Sequence, residues 1–582
     1  MNYEQTEWDF SDFFPEIGTQ EYETKKQELL TLTTAFMNRR EQLTKDISVD
    51  LFKEILAEHK KIVTQSSKLQ VHAYLKTSKN SKDEAAKIAM QKAEELGGDI
   101  SNKIRFFSLW FMKLPKKKAK ELWESLGNDS YAFQKKHKNA KYALSEAEEN
   151  IISLKDITGA SAFQTLYDSI TSGFSWEFDG EKKSLTQMRN YSMHPDREKR
   201  KQAAQLIYKK FEEYIDILSD IYMALVRDYV TESLKLRNYE SPLHVRAQRE
   251  DISVKAIEAL FKATQESTQV WEEFFKIKAK ELKLEQLATY DIQAPVGVQV
   301  EEHIPYTKAV ETIIDALRNV DPSFSDIVLD LIKAKRLDTT FHPNKRGGAY
   351  NYSLPDNEKP FVFMQYLGKD RDLSTLAHEL GHAVHGVYTQ HLSIYSSHPT
   401  MGIAETMSTL FEEIVFEHQL KSLPKEKQKQ LLFAHLADTF STISRQSFIS
   451  MFEKKAHAMI QDGTTHAELS KVWAQLQKEQ FRTSVHISDA TLTWSYIPHI
   501  YHTPYYCYNY SIGSILSLTI LEKLKENKDE FLPKLHQFMR LGGTAGTVES
   551  AKVLGIDLEN PQSWKLGIDA VKKRIDHLKS LL

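Results

Sequence analysis

The sequence predicts a mainly α-helical protein of two lobes, with a small β-sheet beside one helix that carries its chemistry. Three observations lead there. Long charge-rich runs free of Pro and Gly occupy residues 21–43, 83–96, 196–236, 254–283 and 425–462, a pattern of helices rather than strands. Strand-like sequence is confined to two patches. A chain of 582 residues also exceeds what a single compact core holds, so it divides.

Taken in order, the first two helical runs belong to an N-terminal helical lobe that ends in a β-hairpin. Phe174-Ser175-Trp176-Glu177-Phe178 alternates, and Asp179-Gly180 supplies a two-residue turn. A long helix follows Pro195, which puts a boundary near residue 190: the N-terminal lobe is 1–190, and the larger remainder, 191–582, carries the chemistry. Residues 339–366 form the second strand-like patch, and Gly347-Gly348 within it is either a flexible binding loop or an ordinary hairpin turn. The run 425–462 returns to helix. No fixed-period repeat or low-complexity tract interrupts the chain.

Immediately after that patch comes His378-Glu379-Leu380-Gly381-His382. Positions i and i+4 share a helix face, so both imidazoles can reach one metal ion, while Glu379 sits about a third of a turn away. That is the place for a general base acting on water beside a metal. With 21 histidines in the chain, such a pattern arises by chance in roughly one chain in twenty. Its setting strengthens it. Leu376, Ala377, Leu380, Ala383, Val384 and Val387 make the other sides apolar, so unpartnered histidines there would be costly. Gly381 makes sense where something approaches closely, and Asp372 or Ser374 can cap the helix.

A catalytic zinc site needs a third protein ligand and keeps one position open. Residues 391–400 read as loop, and a second helix begins near Gly402, with Ile403, Met407, Leu410 and Phe411 on its apolar face. Antiparallel packing brings Glu405 back towards His378 and His382. Glu412, two turns on, is either an acceptor behind a ligand imidazole or a solvated carboxylate.

Composition narrows the function classes. Lys plus Arg at 77 nearly balance Asp plus Glu at 80, so no global field favours nucleic acid. No membrane span of roughly 18 uninterrupted apolar residues occurs. The N-terminus is polar and acidic without a signal-peptide pattern, so cytoplasmic residence is the expectation. One cysteine, Cys507, excludes an intrachain disulfide and leaves His and carboxylate as metal ligands. Between His499 and Tyr510 lie five tyrosines and two histidines, neutral donors suited to an oxyanion. Tyr506, Tyr508 and Tyr510 spread round a helix and cannot all face one site if this segment is helical.

The sequence resembles the M3 family of zinc metallopeptidases, in its oligoendopeptidase F branch. The likeness rests on Thr375 to Ala383, on Gly402-Ile403-Ala404-Glu405-Thr406, on Lys345-Arg346-Gly347-Gly348-Ala349-Tyr350 and on His499 to Tyr510. Weaker echoes are Trp8-Asp9-Phe10, Tyr290-Asp291, Arg445-Gln446 and Gly542-Gly543. The resemblance implies one Zn²⁺ per chain on His378, His382 and Glu405, with Glu379 activating water. It also implies His499 and Tyr510 as substrate and transition-state contacts, with Tyr506 and Tyr508 competing for a second tyrosine role. Two helical lobes closing a deep substrate channel, and short unfolded peptides as substrate, follow from the same likeness. Such enzymes usually carry Asn where this chain has Gln365, in a strand, residues 360–366, that is expected to pair with substrate backbone. Two rivals are a carboxypeptidase on a similar scaffold and a non-catalytic peptide-binding protein. The sequence sets no oligomeric state.

Overall fold

The computed structural model describes residues 3–297, 303–487 and 490–582; Met1 and Asn2 of the polar N-terminus lie outside them. Helices dominate, and the long predicted runs are subdivided where backbone geometry demands it. The run 196–236 comprises Arg197–Glu213, Ile215–Val230 and a π-helical turn at Thr231–Leu236, broken at Tyr214, whose ψ of 7° leaves the helical range. The run 254–283 breaks at Ser267 for the same reason, with ψ of 8°. In contrast, the helix predicted over 83–96 continues to Met112, through Gly97 and Gly98. A β-carbon at Gly97 would lie 2.4 Å from the end of the Gln70 side chain, which can move aside, and neither glycine ends the helix.

Between Lys425–Phe440 and Gln446–Asp462 the chain makes a π-turn, Ser441–Arg445. Such turns loosen the i→i−4 ladder, and the freed carbonyls need donors. Ser511 supplies one, its hydroxyl reaching Ile443 O at 2.8 Å and Thr442 O at 3.2 Å. The hydroxyl belongs to the helix that continues the tyrosine-rich segment. The π-turn is thereby tied to it.

Asp179 and Gly180 both have positive φ, 56° and 79°, joining strands Ser175–Phe178 and Glu181–Ser184 by the turn type their sequence favours. The other patch forms a three-stranded sheet. Phe361–Phe363 is its central strand, parallel to Leu337–Asp338 on one side and antiparallel to Tyr350–Tyr352 on the other. The N-terminal segment fastens onto this sheet: the Trp8 indole donates to Arg336 O and Val362 O, each at 2.9 Å. Lys345 Nζ, almost fully buried, reaches Asp338 Oδ1 at 2.6 Å and Met364 O at 2.8 Å, pinning the Gly347-Gly348 loop beside it.

Helices 20–133 enclose an aromatic core of their own, including Phe36, Phe52, Phe107, Phe111 and Phe133, while the largest core gathers residues from Tyr167 to Leu578. The two meet at the loop 390–400. Asp129, buried, accepts from Ser393 Oγ at 2.5 Å and Ser396 Oγ at 2.8 Å and pairs with Lys60; Tyr395 and His59 lie 2.5 Å apart. Among the described residues, no helix is long and apolar enough to cross a membrane.

Candidate active site

The H-E-x-x-H motif lies within helix Asp370–Thr389, and Met401–Ser422 packs against it in antiparallel sense. Asp372 caps the first of these from inside, its Oδ2 accepting from Leu367 N at 2.8 Å and Lys369 N at 3.0 Å. Ser374 does not cap. It lies a turn further in, and its hydroxyl donates to Glu412 Oε2 at 2.6 Å. Gly381 sets the helix separation, because a β-carbon there would stand 2.6 Å from Met407 O and 2.7 Å from Ser408 Cα. Only glycine lets the two backbones come so close.

That approach carries Glu405 to the histidine pair. Its Oε2 is 3.6 Å from His378 Nε2 and 3.8 Å from His382 Nε2, and the ligand atoms of the three residues all lie within 4.8 Å of one another. Among the described residues this is the group placed to hold a metal ion. Behind it, His378 Nδ1 donates to Glu412 Oε1 at 2.6 Å, fixing the ring with Nε2 directed at the other two. Glu379, only 6% exposed, leaves Oε2 without a hydrogen-bond partner beside them.

The charges are strongly coupled. Burial lowers the His378 pKa, but Glu412, Glu379 and Glu405 outweigh it and carry it up to about 9. Burial drives His382 well below its ordinary value, with His378 adding to the effect, so that imidazole is neutral. Burial also raises Glu379, to about 7, and Glu405. A cation held by His378, His382 and Glu405 would compete with the proton on His378 and would supply positive charge among these carboxylates.

A second helix pair brings the tyrosine segment alongside. Tyr508–Glu526 packs on Met401–Ser422, and a β-carbon at Gly513 would meet Glu405 Cβ at 2.7 Å. Tyr506 stacks on His499 with ring centroids 6.0 Å apart, and Tyr510 stands edge-on to Tyr506 at 5.3 Å. Burial raises both phenols, and the Glu405 carboxylate adds to it. Burial lowers His499, helped by Arg445 from the π-turn. These three rings therefore stay neutral donors near the Glu405 side of the trio. Tyr508 does not join them. It is the first residue of its helix and points into the main core, fully buried, with its hydroxyl unpartnered.

A model of Peptidase family M3 matches residues 190–569, and one described as Oligopeptidase F matches residues 110–175. The chain belongs to peptidase family M3. An oligoendopeptidase F homolog of Borreliella burgdorferi is 25% identical over 99% of this chain and 98% of the relative. Oligopeptidase PepF of Bacillus subtilis is 24% identical over 99% of this chain and 87% of its own. The fold matches a crystal structure of a peptidase from Chlamydophila abortus with TM-score 0.88, at 22% identity, covering 99% and 98% of the two chains. For oligoendopeptidase-F from Enterococcus faecium the TM-score is 0.70, at 19% identity, covering 96% and 99%. M3 peptidases are zinc-dependent in general, and hydrolysis of peptide bonds by a metallopeptidase is the activity of this chain.

The strand expected to take up substrate backbone is already paired within its sheet. Strand Phe361–Phe363 is central and paired on both sides, so it has no free edge to offer a substrate backbone. The edge of this sheet nearest it in sequence is Tyr350–Tyr352, which the helix Asp370–Thr389 also touches. Gln365 instead accepts from His342 N at 3.4 Å, across the adjoining loop. The residues that sequence reasoning missed are the spacers and anchors: Gly513 against Glu405, Asp129 on the loop joining the two metal-site helices, and Arg246 over the Tyr506 ring at 5.1 Å. Only Gly513 carried a readable signal, an isolated glycine in an apolar helical run.

Proposed function

We propose that this M3 peptidase is a zinc endopeptidase for short unfolded peptides, with its chemistry centred on His378, His382, Glu405 and Glu379. The observation that carries the reading is the trio of donor atoms within 4.8 Å, flanked by a buried Glu379 oxygen that has no partner of its own. Two imidazole nitrogens and one carboxylate oxygen are a catalytic zinc donor set that leaves a position open. One zinc ion held there supplies Lewis-acid polarisation of the scissile carbonyl and acidifies the attacking water.

The chain's own groups do the rest. Glu379 takes the proton from the attacking water and passes it to the leaving amine. Glu412, hydrogen-bonded to His378 Nδ1, keeps that ring aimed. His499, Tyr506 and Tyr510 donate to the oxyanion as it forms. Their proximity to Glu405, through the Gly513 contact, supports this role. Tyr508 has no part in it, since its hydroxyl is directed into the core. An extended peptide adding to the sheet would use the Tyr350–Tyr352 edge, where main-chain pairing tolerates varied side chains.

The names of the Borreliella and Bacillus relatives, oligoendopeptidase and oligopeptidase, support short peptides as substrates. The start of the M3 match at residue 190 supports a boundary there, although the main core already takes in Tyr167 to Met188. A single buried cysteine supports residence in a reducing compartment such as the cytoplasm. Internally quenched peptides of increasing length, with free and with blocked ends, test the reading. Internal cleavage of short doubly blocked peptides is expected; trimming confined to free C-termini would make the protein a carboxypeptidase, and no cleavage would make it a binding protein.

A further inference from the structure

Between helices Pro498–His502 and Tyr508–Glu526 the chain turns through Thr503-Pro504-Tyr505-Tyr506, with Tyr506 N donating to Thr503 O at 3.2 Å. Tyr505, third in this β-turn, has φ of 58°. Proline at the second position is usual in a turn of this kind, and the third position calls for Gly or Asn because φ is positive. A tyrosine there is strained. Among the described residues the other non-glycine positions with positive φ are Asp, Asn, Lys and Arg; Tyr505 alone is aromatic, and it is 1% exposed. Such a conformation persists only where its surroundings over-determine it.

What holds it is visible. Glu453, on helix Gln446–Asp462 and 0% exposed, accepts from Tyr505 N at 2.7 Å. His457, one turn further along, packs its ring 4.8 Å from the Tyr505 ring. A buried carboxyl spent on one backbone N–H is an expensive contact. Burial pushes Glu453 up to about 8, so near neutral pH the acceptor is a largely uncharged acid, which glutamine can imitate.

We infer that Glu453 is a positioning residue for hydrolysis: by clamping the Tyr505 backbone in its left-handed conformation it sets Tyr506, and through the start of the next helix Tyr510, against His499. The inference rests on the reading of these tyrosines as donors in the reaction. Tyr506 follows Tyr505 directly, and its ring is seated by His499, by Tyr510 and by Arg246. Losing the clamp lets the turn relax towards negative φ and rotates the Tyr506 side chain away, with the metal trio untouched.

The test is steady-state kinetics on a quenched peptide with Glu453→Gln, Glu453→Met, Tyr506→Phe and the double variant Glu453→Met/Tyr506→Phe, each checked for zinc content and thermal midpoint. Glu453→Gln is expected to keep wild-type kcat. Glu453→Met is expected to lose roughly 10²-fold in kcat, the cost of a misplaced group, with stoichiometric zinc and KM within about twofold. In the Met background Tyr506→Phe then costs little more. Glu453→Asp, whose carboxyl is withdrawn by one methylene, is the graded substitute should the Met variant not fold, with an intermediate loss expected. Wild-type kcat in Glu453→Met, an equal loss in Glu453→Gln, or strictly multiplicative losses in the double variant each overturn the inference. If Tyr506→Phe is itself unimpaired, it is the donor reading that fails, and the role of Glu453 falls with it; an impaired Tyr506→Phe beside a fully active Glu453→Met overturns the clamp alone.

Discussion

Substituting Gly381 by alanine should open the metal site while leaving the fold standing. The new methyl would meet Met407 O at 2.6 Å, Ser408 Cα at 2.7 Å and Met407 C at 3.1 Å, all main-chain atoms that cannot rotate away. Ordinary contact begins at 3.4 Å, so the two helices must part by roughly 0.8 Å. His378 and His382 ride on one helix and Glu405 on the other, so the whole displacement falls between the proposed ligands. Zinc sites hold their bond lengths to within about 0.2 Å, several times less than that. Overpacking costs about 1–3 kcal/mol, and alanine returns about 1 kcal/mol of helix propensity, so a modest net destabilisation is expected. Zinc affinity, by contrast, should fall about 10- to 100-fold, the range seen when the support of a ligand is disturbed. Competition against a chromophoric chelator measures it, with a thermal melt as the control. Wild-type zinc affinity in a folded Gly381→Ala protein would refute the claim that this glycine sets the ligand spacing.

Other outcomes follow from the same contacts. Glu405→Ala removes one of the three proposed ligands and should purify with little zinc by elemental analysis; full zinc content would take Glu405 out of the set. Glu413 is held by Arg574 at 2.6 Å and His435 at 3.4 Å; burial alone would raise its pKa, but these partners bring it down to about 2. Its folded pKa lies below the unfolded one, so the pair stabilises the protein above about pH 4.5 and loses that contribution, about 3 kcal/mol, as pH falls towards 2. Urea midpoints at pH 3 and 6 should show the loss in wild type, while Arg574→Met is destabilised most at pH 6, where the buried carboxylate is charged and unpaired. Glu453 runs the opposite way. Burial raises its pKa from 4.5 to about 8, so wild type is favoured below pH 4.5 and loses stability as pH rises through 8. Glu453→Gln should therefore gain thermal midpoint over wild type at pH 8.5 and not at pH 5; parallel curves would show that the carboxyl is not ionising in the core.

The site was legible where its geometry is local. A spacing of four on one helix fixes how His378 and His382 point, and a loop followed by an amphipathic run places Glu405 within reach of them. Glu412, two turns beyond, fits the same arithmetic. What stayed hidden depends on contacts between distant segments. Nothing around Gly513 says that its missing side chain faces Glu405, and nothing around Asp129 says that it grips a loop more than 260 residues away. Tyr508 illustrates the limit from the other side. Helical spacing says that Tyr506, Tyr508 and Tyr510 cannot all face one site but not which turns away; the turn at Tyr505 and the helix start at Tyr508 send Tyr508 inward and leave Tyr506 and Tyr510 with His499. The long helical runs were legible as helix, while their breaks at Tyr214 and Ser267 and the π-turn at Ser441–Arg445 were not, because no Gly or Pro marks them.

The central claim, that Glu379 moves the proton at a zinc site it does not help to build, is tested most directly by hydrolysis of a doubly blocked quenched peptide by Glu379→Gln protein carrying one zinc. The variant is expected to keep its zinc and to lose about 10³-fold or more in kcat, near the upper range for removing a general base together with its charge. Hydrolysis at the wild-type rate by that zinc-loaded variant would contradict it.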